Sequence, residues 1–295
     1  MGYQLWMSPE TGYRRQGTKF SCLKSIFLEN ISIKEIFEPI LCCKVSDSAS
    51  DAKFALDKRQ FDTTCVIDHE NKIIGYIEAS ALGEGSVGQY VQDISPEIVI
   101  DEDTSLVHLV NLLEDVESKY VSSQGKVVGI ITRADLNKPI PRVYLFGVIS
   151  LVELHLNFWV NHFYPNESWY DVLVEERQKG VIDMHDKKRR NDQYLSFIDC
   201  AQLCDKKDLL SENEQFRVLH DFSKKKFKQF MERLESLRNE IAHSQSKINV
   251  EWSKISSTVN RADIFLSKSD LLIENMAQVQ AEERKSDLLI AVNVA

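Results

Sequence analysis

Two patterns of apolar and polar positions divide the chain. In the first half, short runs of β-branched and aromatic residues are separated by turn residues, which predicts strands and hairpins. Amphipathic stretches from Asp51 to Arg59, and from Leu106 through Leu109, Val110 and Leu113, predict helices between those strands. Pro139 and Pro141 mark a boundary, after which apolar residues recur three and four apart. Helices are expected over Val143–Phe163, Ser168–Gly180, Gln193–Cys204, Phe216–Ser244 and Trp252–Leu266, with Pro165 and Gly180 separating the early ones. With no β-rich segment among them, an α-helical bundle is the natural architecture. Residues 269–295 carry a weaker amphipathic pattern and are expected to form a docked or mobile tail. The longest apolar run, near Val143 to Val160, is interrupted by Glu153, His155 and Asn157, which suits a buried or interfacial helix rather than a membrane span.

The first half repeats itself. Asn71 to Leu82 (NKIIGYIEASAL) aligns without a gap to Gly125 to Leu136 (GKVVGIITRADL), a spacing of 54 positions. Each copy has a turn residue, a lysine, β-branched residues around a glycine, then a polar step into a helix ending in leucine. The lead-ins correspond as well: Thr64-Cys65-Val66-Ile67 in one and Lys119-Tyr120-Val121-Ser122 in the other. Two copies of one supersecondary unit are too few for a solenoid, so a closed pseudo-symmetric pair is expected.

This repeat resembles a tandem pair of cystathionine-β-synthase-type (CBS) domains, over residues 30–141, and Gly129-Ile130-Ile131-Thr132-Arg133-Ala134-Asp135-Leu136 is its most specific piece. The resemblance implies an α+β unit that senses an adenine nucleotide of the AMP, ADP or ATP kind as a regulatory ligand. It places Thr132, Arg133 and Asp135 at the nucleotide, with the hydroxyl on phosphate and the carboxylate on ribose. A carboxylate can accept two hydrogen bonds from a vicinal diol, and a hydroxyl with free N–H groups at a helix start suits an anion. The first copy departs from the pattern: Glu78 stands where Thr132 does and Ala81 where Asp135 does, so one working site is expected. The alternative is local. Thr132 can cap a helix with Asp135 in its first turn, leaving a structural pair that serves dimerisation.

Composition narrows the options. At 295 residues, 43% hydrophobic and 27% charged, the chain has room for two globular domains with their own cores. A net charge of -9 argues against a broad basic coat for nonspecific nucleic-acid binding. It leaves room for a local patch at Lys187–Arg190 or Lys224–Lys226, runs that also suit a solvated face. Six cysteines in a chain of this length are not a disulfide framework, and no Cys/His set has zinc-site spacing, so no metal is expected. Without a signal-peptide pattern, the expected compartment is the cytoplasm.

The helix from Lys226 to Gln245 carries the second chemical signal. Phe227, Phe230, Met231, Leu234, Leu237 and Ile241 form an apolar stripe, and at 100° per residue Arg238 falls inside its arc. A charge there calls for a partner or an interface, and Glu153 and Asp199 are available acids. Asn239 and His243, four apart, can hydrogen-bond. The segment Leu237-Arg238-Asn239-Glu240-Ile241-Ala242-His243 resembles the motif of the HEPN superfamily of helical bundles. That resemblance implies a bundle over residues 142–268 that dimerises with two motifs facing each other, and in many members metal-independent ribonuclease activity. Arg238, Asn239 and His243 would then be catalytic. Imidazole moves protons near neutral pH, guanidinium offsets charge on a phosphate, and RNA supplies its own 2′-hydroxyl nucleophile. The fold class read from the chain is thus an α+β CBS pair followed by an all-α, HEPN-like bundle, with residues 1–29 as a lead segment. The function read from it is a homodimeric, nucleotide-regulated RNA endonuclease. A non-catalytic sensor acting through a partner, and transfer of a nucleotide group onto a protein, stand as alternatives.

Overall fold

A computed structural model describes residues 8, 10–13, 19–191, 193, 195–242 and 251–293, with only the backbone of 284–293. The chain divides into two compact units: Phe27–Pro141, and a helical unit made of Met1–Ile26 with Arg142–Ala295.

The α/β unit is built twice from one plan. Strands β1 (Glu38–Pro39), β2 (Cys42–Lys44), β3 (Thr63–Ile67), β4 (Ile73–Glu78), β5 (Val99–Asp101), β6 (Ser118–Ser123) and β7 (Lys126–Thr132) form two sheets. Their orders are β2-β3-β4 and β1-β7-β6-β5. In each sheet a short strand pairs parallel to the next, β2 to β3 and β5 to β6, and an antiparallel hairpin follows. Helix α2 (Ala49–Arg59) makes the first parallel crossover. Its counterpart is only a 3-10 turn, Leu106–His108, followed by α3 (Leu109–Leu112). The ladder shifts register between Val66 and Ile67 in one hairpin and between Val121 and Ser122 in the other. The hairpin turns place Asn71 and Gly125, equivalent in the repeat, at φ 61° and 76°, a left-handed conformation that favours glycine or asparagine.

The repeated glycine has a steric cause. A Cβ on Gly75 would lie 2.4 Å from the carbonyl oxygen of Gln92, and one on Gly129 would lie 2.7 Å from that of Glu38. Gln92 bridges to Tyr76, and Glu38 pairs with Ile130, so a flanking segment crosses each hairpin at the same register. Those positions are also 54 apart, which extends the repeat beyond the stretch that its residue types reveal.

In the helical unit the predicted first helix is α4 (Pro139–Phe163). Its length and composition alone would suffice to cross a membrane, with mean hydropathy 1.6 over its most apolar window, but 67% of that window is buried inside the structure. Next come α5 (Trp169–Val172), α6 (Glu175–Arg190), α7 (Leu203–Glu212), α8 (Glu214–Leu219), α9 (Lys224–Ala242) and α10 (Trp252–Asn293). The single helix expected over Gln193–Cys204 is instead a 3-10 turn, Phe197–Cys200, and then the start of α7. Capping boxes begin each, Ser196 with Asp199 and Gln202 with Asp205. The helix expected from Phe216 breaks at Asp221, whose φ of 55° no helix accommodates. Helix α9 packs on α7 and α10. Trp159, Phe163, Phe216, Phe222, Phe227, Phe230 and Phe265 gather around His220 to form the aromatic heart of the unit.

Two boundaries differ from the sequence reading. Helix α10 does not stop near Leu266, and the expected tail is its continuation. Ser269, Asp270, Ile273, Ala277 and Ala281 are all buried, and the last three give a four-residue spacing whose alanines contribute little to a hydrophobic pattern. The lead segment is not separate either. Helix α1 (Phe20–Asn30) has its first turn capped by Asp270, which accepts from the N–H of Phe20 at 2.7 Å and of Ser21 at 3.3 Å. Lys19–Glu274 and Lys24–Asp263 ion pairs hold the same helix along α10.

Candidate functional site

Two clusters contain the residues that the sequence singled out, one in each unit. In the α/β unit, Thr132 ends β7 and caps the following turn, Arg133–Asn137. Asp135 is 4% exposed. Its Oδ2 accepts from the Thr132 N–H at 2.7 Å and from the Thr132 hydroxyl at 3.1 Å, and its Oδ1 lies 2.9 Å from the Lys138 ammonium. The Thr132 hydroxyl in turn accepts from the Ala134 N–H at 3.2 Å. Arg133 points away from this group, donating to the carbonyls of Leu113 and Glu114 at 3.0 and 2.8 Å. Thr132 and Asp135 are therefore brought together as a capping box, and Arg133 ties the turn to the preceding helix.

Lys138 was not anticipated. It bridges Asp135 and Glu38, the latter at 2.5 Å, and also donates to the Ile36 carbonyl. Partial burial alone would lower its pKa, but the two carboxylates outweigh burial and raise it. The signal was available in principle, since a lysine three residues after an aspartate in a turn can reach back to it. Glu38, a hundred positions away, left none.

At the equivalent place in the first repeat, Glu78 begins the turn Ala79–Ala81 without any side-chain cap. The Thr63 hydroxyl donates to the Ile77 carbonyl at 2.9 Å and lies 2.5 Å from the Tyr120 hydroxyl, which must then supply the proton between them. Tyr120 is 4% exposed, and burial drives its pKa well above the usual phenol range.

In the helical unit, α9 buries Phe227, Phe230, Met231, Leu234 and Leu237. Arg238 does not lie inside the buried stripe, contrary to the angular reading. It sits near the C-terminal end of α9, beside the buried Leu237, and its side chain is 44% exposed. Its Nε lies 2.9 Å from Oε1 of Glu153 on α4, one of the two acids that the sequence offered. Asn239 is exposed beside it, and His243 lies outside the described residues.

Beneath Arg238 is a polar layer that sequence reasoning missed. Asn157, one turn after Glu153, donates to Asp199 at 2.8 Å. Arg177 grips Asp205 with both arms, at 2.7 and 2.8 Å. Lys206 is 5% exposed between these acids, and burial lowers its pKa against the pull of Glu153 and Asp199. Among the described residues, no group of three or more His, Cys, Asp and Glu side chains could hold a metal ion.

Comparison with known proteins bears on the α/β unit. Among the solved structures similar to part of the chain are the following three. An uncharacterized conserved protein from Pyrococcus horikoshii is 20% identical, with a TM-score of 0.32, over 36% of this chain and 88% of its own. CBSX2 in complex with AMP is 20% identical, TM-score 0.32, over 38% and 97%. A CBS domain-containing protein of unknown function from Bacillus anthracis is 19% identical, TM-score 0.34, over 40% and 98%. No curated protein matches the chain. Residues 89–141, the second repeat with the strand segment that precedes it, match the CBS domain family. A CBS domain is therefore found at residues 89–141, within the α/β unit.

Proposed function

We propose that this protein is an adenine-nucleotide-regulated, metal-independent RNA endonuclease that acts as a homodimer. The observation that carries the catalytic part is the exposed Arg238-Asn239 pair at the end of α9, on a helix that resembles the HEPN motif helix. Its Nε lies beside Glu153, and a guanidinium this exposed suits a phosphodiester. In this reading His243 takes the proton of the RNA 2′-hydroxyl, Asn239 orients the imidazole, and Arg238 offsets the charge on the phosphorane. As the P–O5′ bond breaks, the leaving 5′-oxygen takes up a proton from the imidazolium or from water, and the products are a 2′,3′-cyclic phosphate and a 5′-hydroxyl.

The CBS domain supports the regulatory part. Thr132 and Asp135 would take the phosphate and the ribose, with Arg133 bracing the turn. Asp135 already uses three of a carboxylate's roughly four acceptor positions, so a ribose displaces Lys138 from Oδ1. One nucleotide per chain is expected, because Ala81 has no acceptor and Glu78 offers no hydroxyl.

The test is incubation of the purified protein with total RNA in excess chelator, with AMP, ADP, ATP or no nucleotide. Cleavage that changes with nucleotide, leaves 5′ ends a kinase labels directly, and is lost in His243→Ala supports the reading. A second reading, a non-catalytic nucleotide sensor working through a partner, is favoured by the Glu153–Arg238 ion pair, which would neutralise the guanidinium. Intact RNA under every condition decides for it.

A further inference from the structure

The two basic runs of the helical unit differ in what they face. At the start of α9, Lys224 and Lys228 share Glu212, at 2.6 and 3.8 Å. Lys187, Lys188, Arg189 and Arg190 form the last turn of α6. Lys187, Arg189 and Arg190 are exposed and Lys188 is half-buried, and none of the four side chains forms a hydrogen bond or an ion pair with a described residue. Asp186, the acid beside the run, lies 3.9 Å from Nδ1 of His185 instead. A helix C-terminus favours cations through its dipole, but adjacent cations repel one another, and the dipole alone does not account for four in succession. In a chain of net charge -9, a run left without acids is a set of open positions for an anionic partner.

Aromatic rings stand next to the run. His185, within one turn of it, has its ring centroid 5.4 Å from that of Phe197, and Tyr170 lies 5.2 Å from Phe197 on another side. All three are half-buried, so each keeps part of its ring in solvent. Phe197 opens the 3-10 turn whose Asp199 accepts from Asn157 on α4, one turn from Glu153 and its partner Arg238. A continuous series of contacts within the helical unit therefore joins the end of α6 to Arg238. We propose that the last turn of α6, with Tyr170, His185 and Phe197, is a docking surface for single-stranded RNA. The cations take backbone phosphates, and bases stack on the open parts of the rings. The proposal rests on the reading that RNA is the substrate, and it adds where the strand is held away from Arg238. One guanidinium beside a carboxylate supplies little affinity, whereas unneutralised cations with stacking rings suit a strand of about 4–16 nucleotides.

Salt-dependent binding tests this. The probe is a fluorescein-labelled single-stranded RNA of about twelve nucleotides with 2′-O-methyl groups throughout, which no 2′-hydroxyl mechanism can cut. Its affinity for the full chain is read by anisotropy across a salt series. Replacing Lys187, Lys188, Arg189 and Arg190 together by Gln is expected to weaken binding at least about tenfold and to flatten the slope of log K against log salt by about 2–3, since each single-strand phosphate contact contributes about 0.7. The control replaces Lys224, Lys225, Lys226 and Lys228 by Gln, which removes the same charge elsewhere and should leave the slope as in the parent. Phe197→Leu should weaken binding a few-fold with the slope unchanged, because stacking releases no counterion. If the fourfold variant fails to fold, the three exposed positions alone are replaced, with a flattening of about 2 expected. No binding by the parent, an unchanged slope in the α6 variant, an equal loss in the control, or displacement of the RNA by polyglutamate as readily as by unlabelled RNA each overturn the proposal. Cleavage of unmodified RNA, followed in parallel, judges the ribonuclease reading separately. A parent that binds through α6 but cuts nothing keeps the docking surface and loses the nuclease, and an α6 variant that cuts with the parent's KM loses the surface and keeps the nuclease.

Discussion

The α/β unit and the helical unit treat their buried polar groups in opposite ways. In the first, Asp135 is 4% exposed and has the Thr132 N–H, the Thr132 hydroxyl and Lys138 as partners. In the second, both ring nitrogens of His220, Nε1 of Trp169 and Oδ1 of Asn157 are buried with no hydrogen-bond partner among the described residues. The difference follows from where the partners come from. A capping box joins residues three apart, so the fold of one turn satisfies it. In the helical unit Asp199 and Asp205 are closed locally in the same way, but Asn157, Trp169 and His220 would need a group from elsewhere in the chain for their remaining polar atoms. Local polar closure makes a stable turn, whereas unclosed polar groups hold interaction energy that a ligand or a second chain can collect.

That contrast can be broken at Asp135 first. Asp135→Ala leaves the Thr132 N–H and the Lys138 ammonium without this acceptor, and urea unfolding without nucleotide should show a loss of about 2–3 kcal/mol. A loss under about 0.5 kcal/mol would mean that the box is ornamental and that Asp135 is held for a ligand alone.

His220 gives the next effect. Burial, with lesser contributions from Lys268 and His155, brings its pKa down to about 3. The folded state thus keeps the ring neutral, while the unfolded chain takes up a proton below its ordinary value near 6.5. Stability present above pH 6.5 is therefore lost as pH falls from there toward 3, at up to about 1.4 kcal/mol per unit. His220→Phe should remove that slope, so that variant and parent diverge by about 2 kcal/mol between pH 7 and pH 5. Parallel stability curves over that range would show that the ring has found a proton acceptor.

Smaller effects sharpen the comparison. Lys206→Met should raise stability by about 1 kcal/mol, because burial disfavours the charge on this side chain. A loss of that size would place Lys206 among the satisfied groups. Arg238→Ala should change stability by less than about 1 kcal/mol, as expected for an ion pair this exposed, while removing RNA cleavage. A variant that still cuts RNA takes Arg238 out of the proposed chemistry.

How far the sequence could be read follows the same division. The repeat was visible because a hairpin glycine, its turn residue and its capping step recur in fixed order, and the crossing backbone at Gly75 and Gly129 explains why the glycine must recur. The crossing segments at Glu38 and Gln92 share no residue type and were not visible. In the helical half, the apolar stripe of α9 was legible, but where it stopped being buried was not. A helical wheel places Arg238 by angle and knows nothing of where the neighbouring helices end. The breaks before α7 had a readable signal in Ser196-x-x-Asp199 and Gln202-x-x-Asp205, which local periodicity overrode. The second half of α10 was missed because Ala277 and Ala281 bury well while weighing little in any amphipathic pattern.

The cap that Asp270 places on α1 sets an order of events during synthesis. Phe20 and Ser21 leave the ribosome some 250 residues before the carboxylate that receives their N–H groups. The partners of Lys24 and Lys19, Asp263 and Glu274, arrive equally late. Residues 27–141 form a compact unit of their own and can fold while the rest is being made. The first residues of α1, up to Ile26, must wait undocked through all of that time, and a stalled or prematurely ended chain would leave them without their partners permanently.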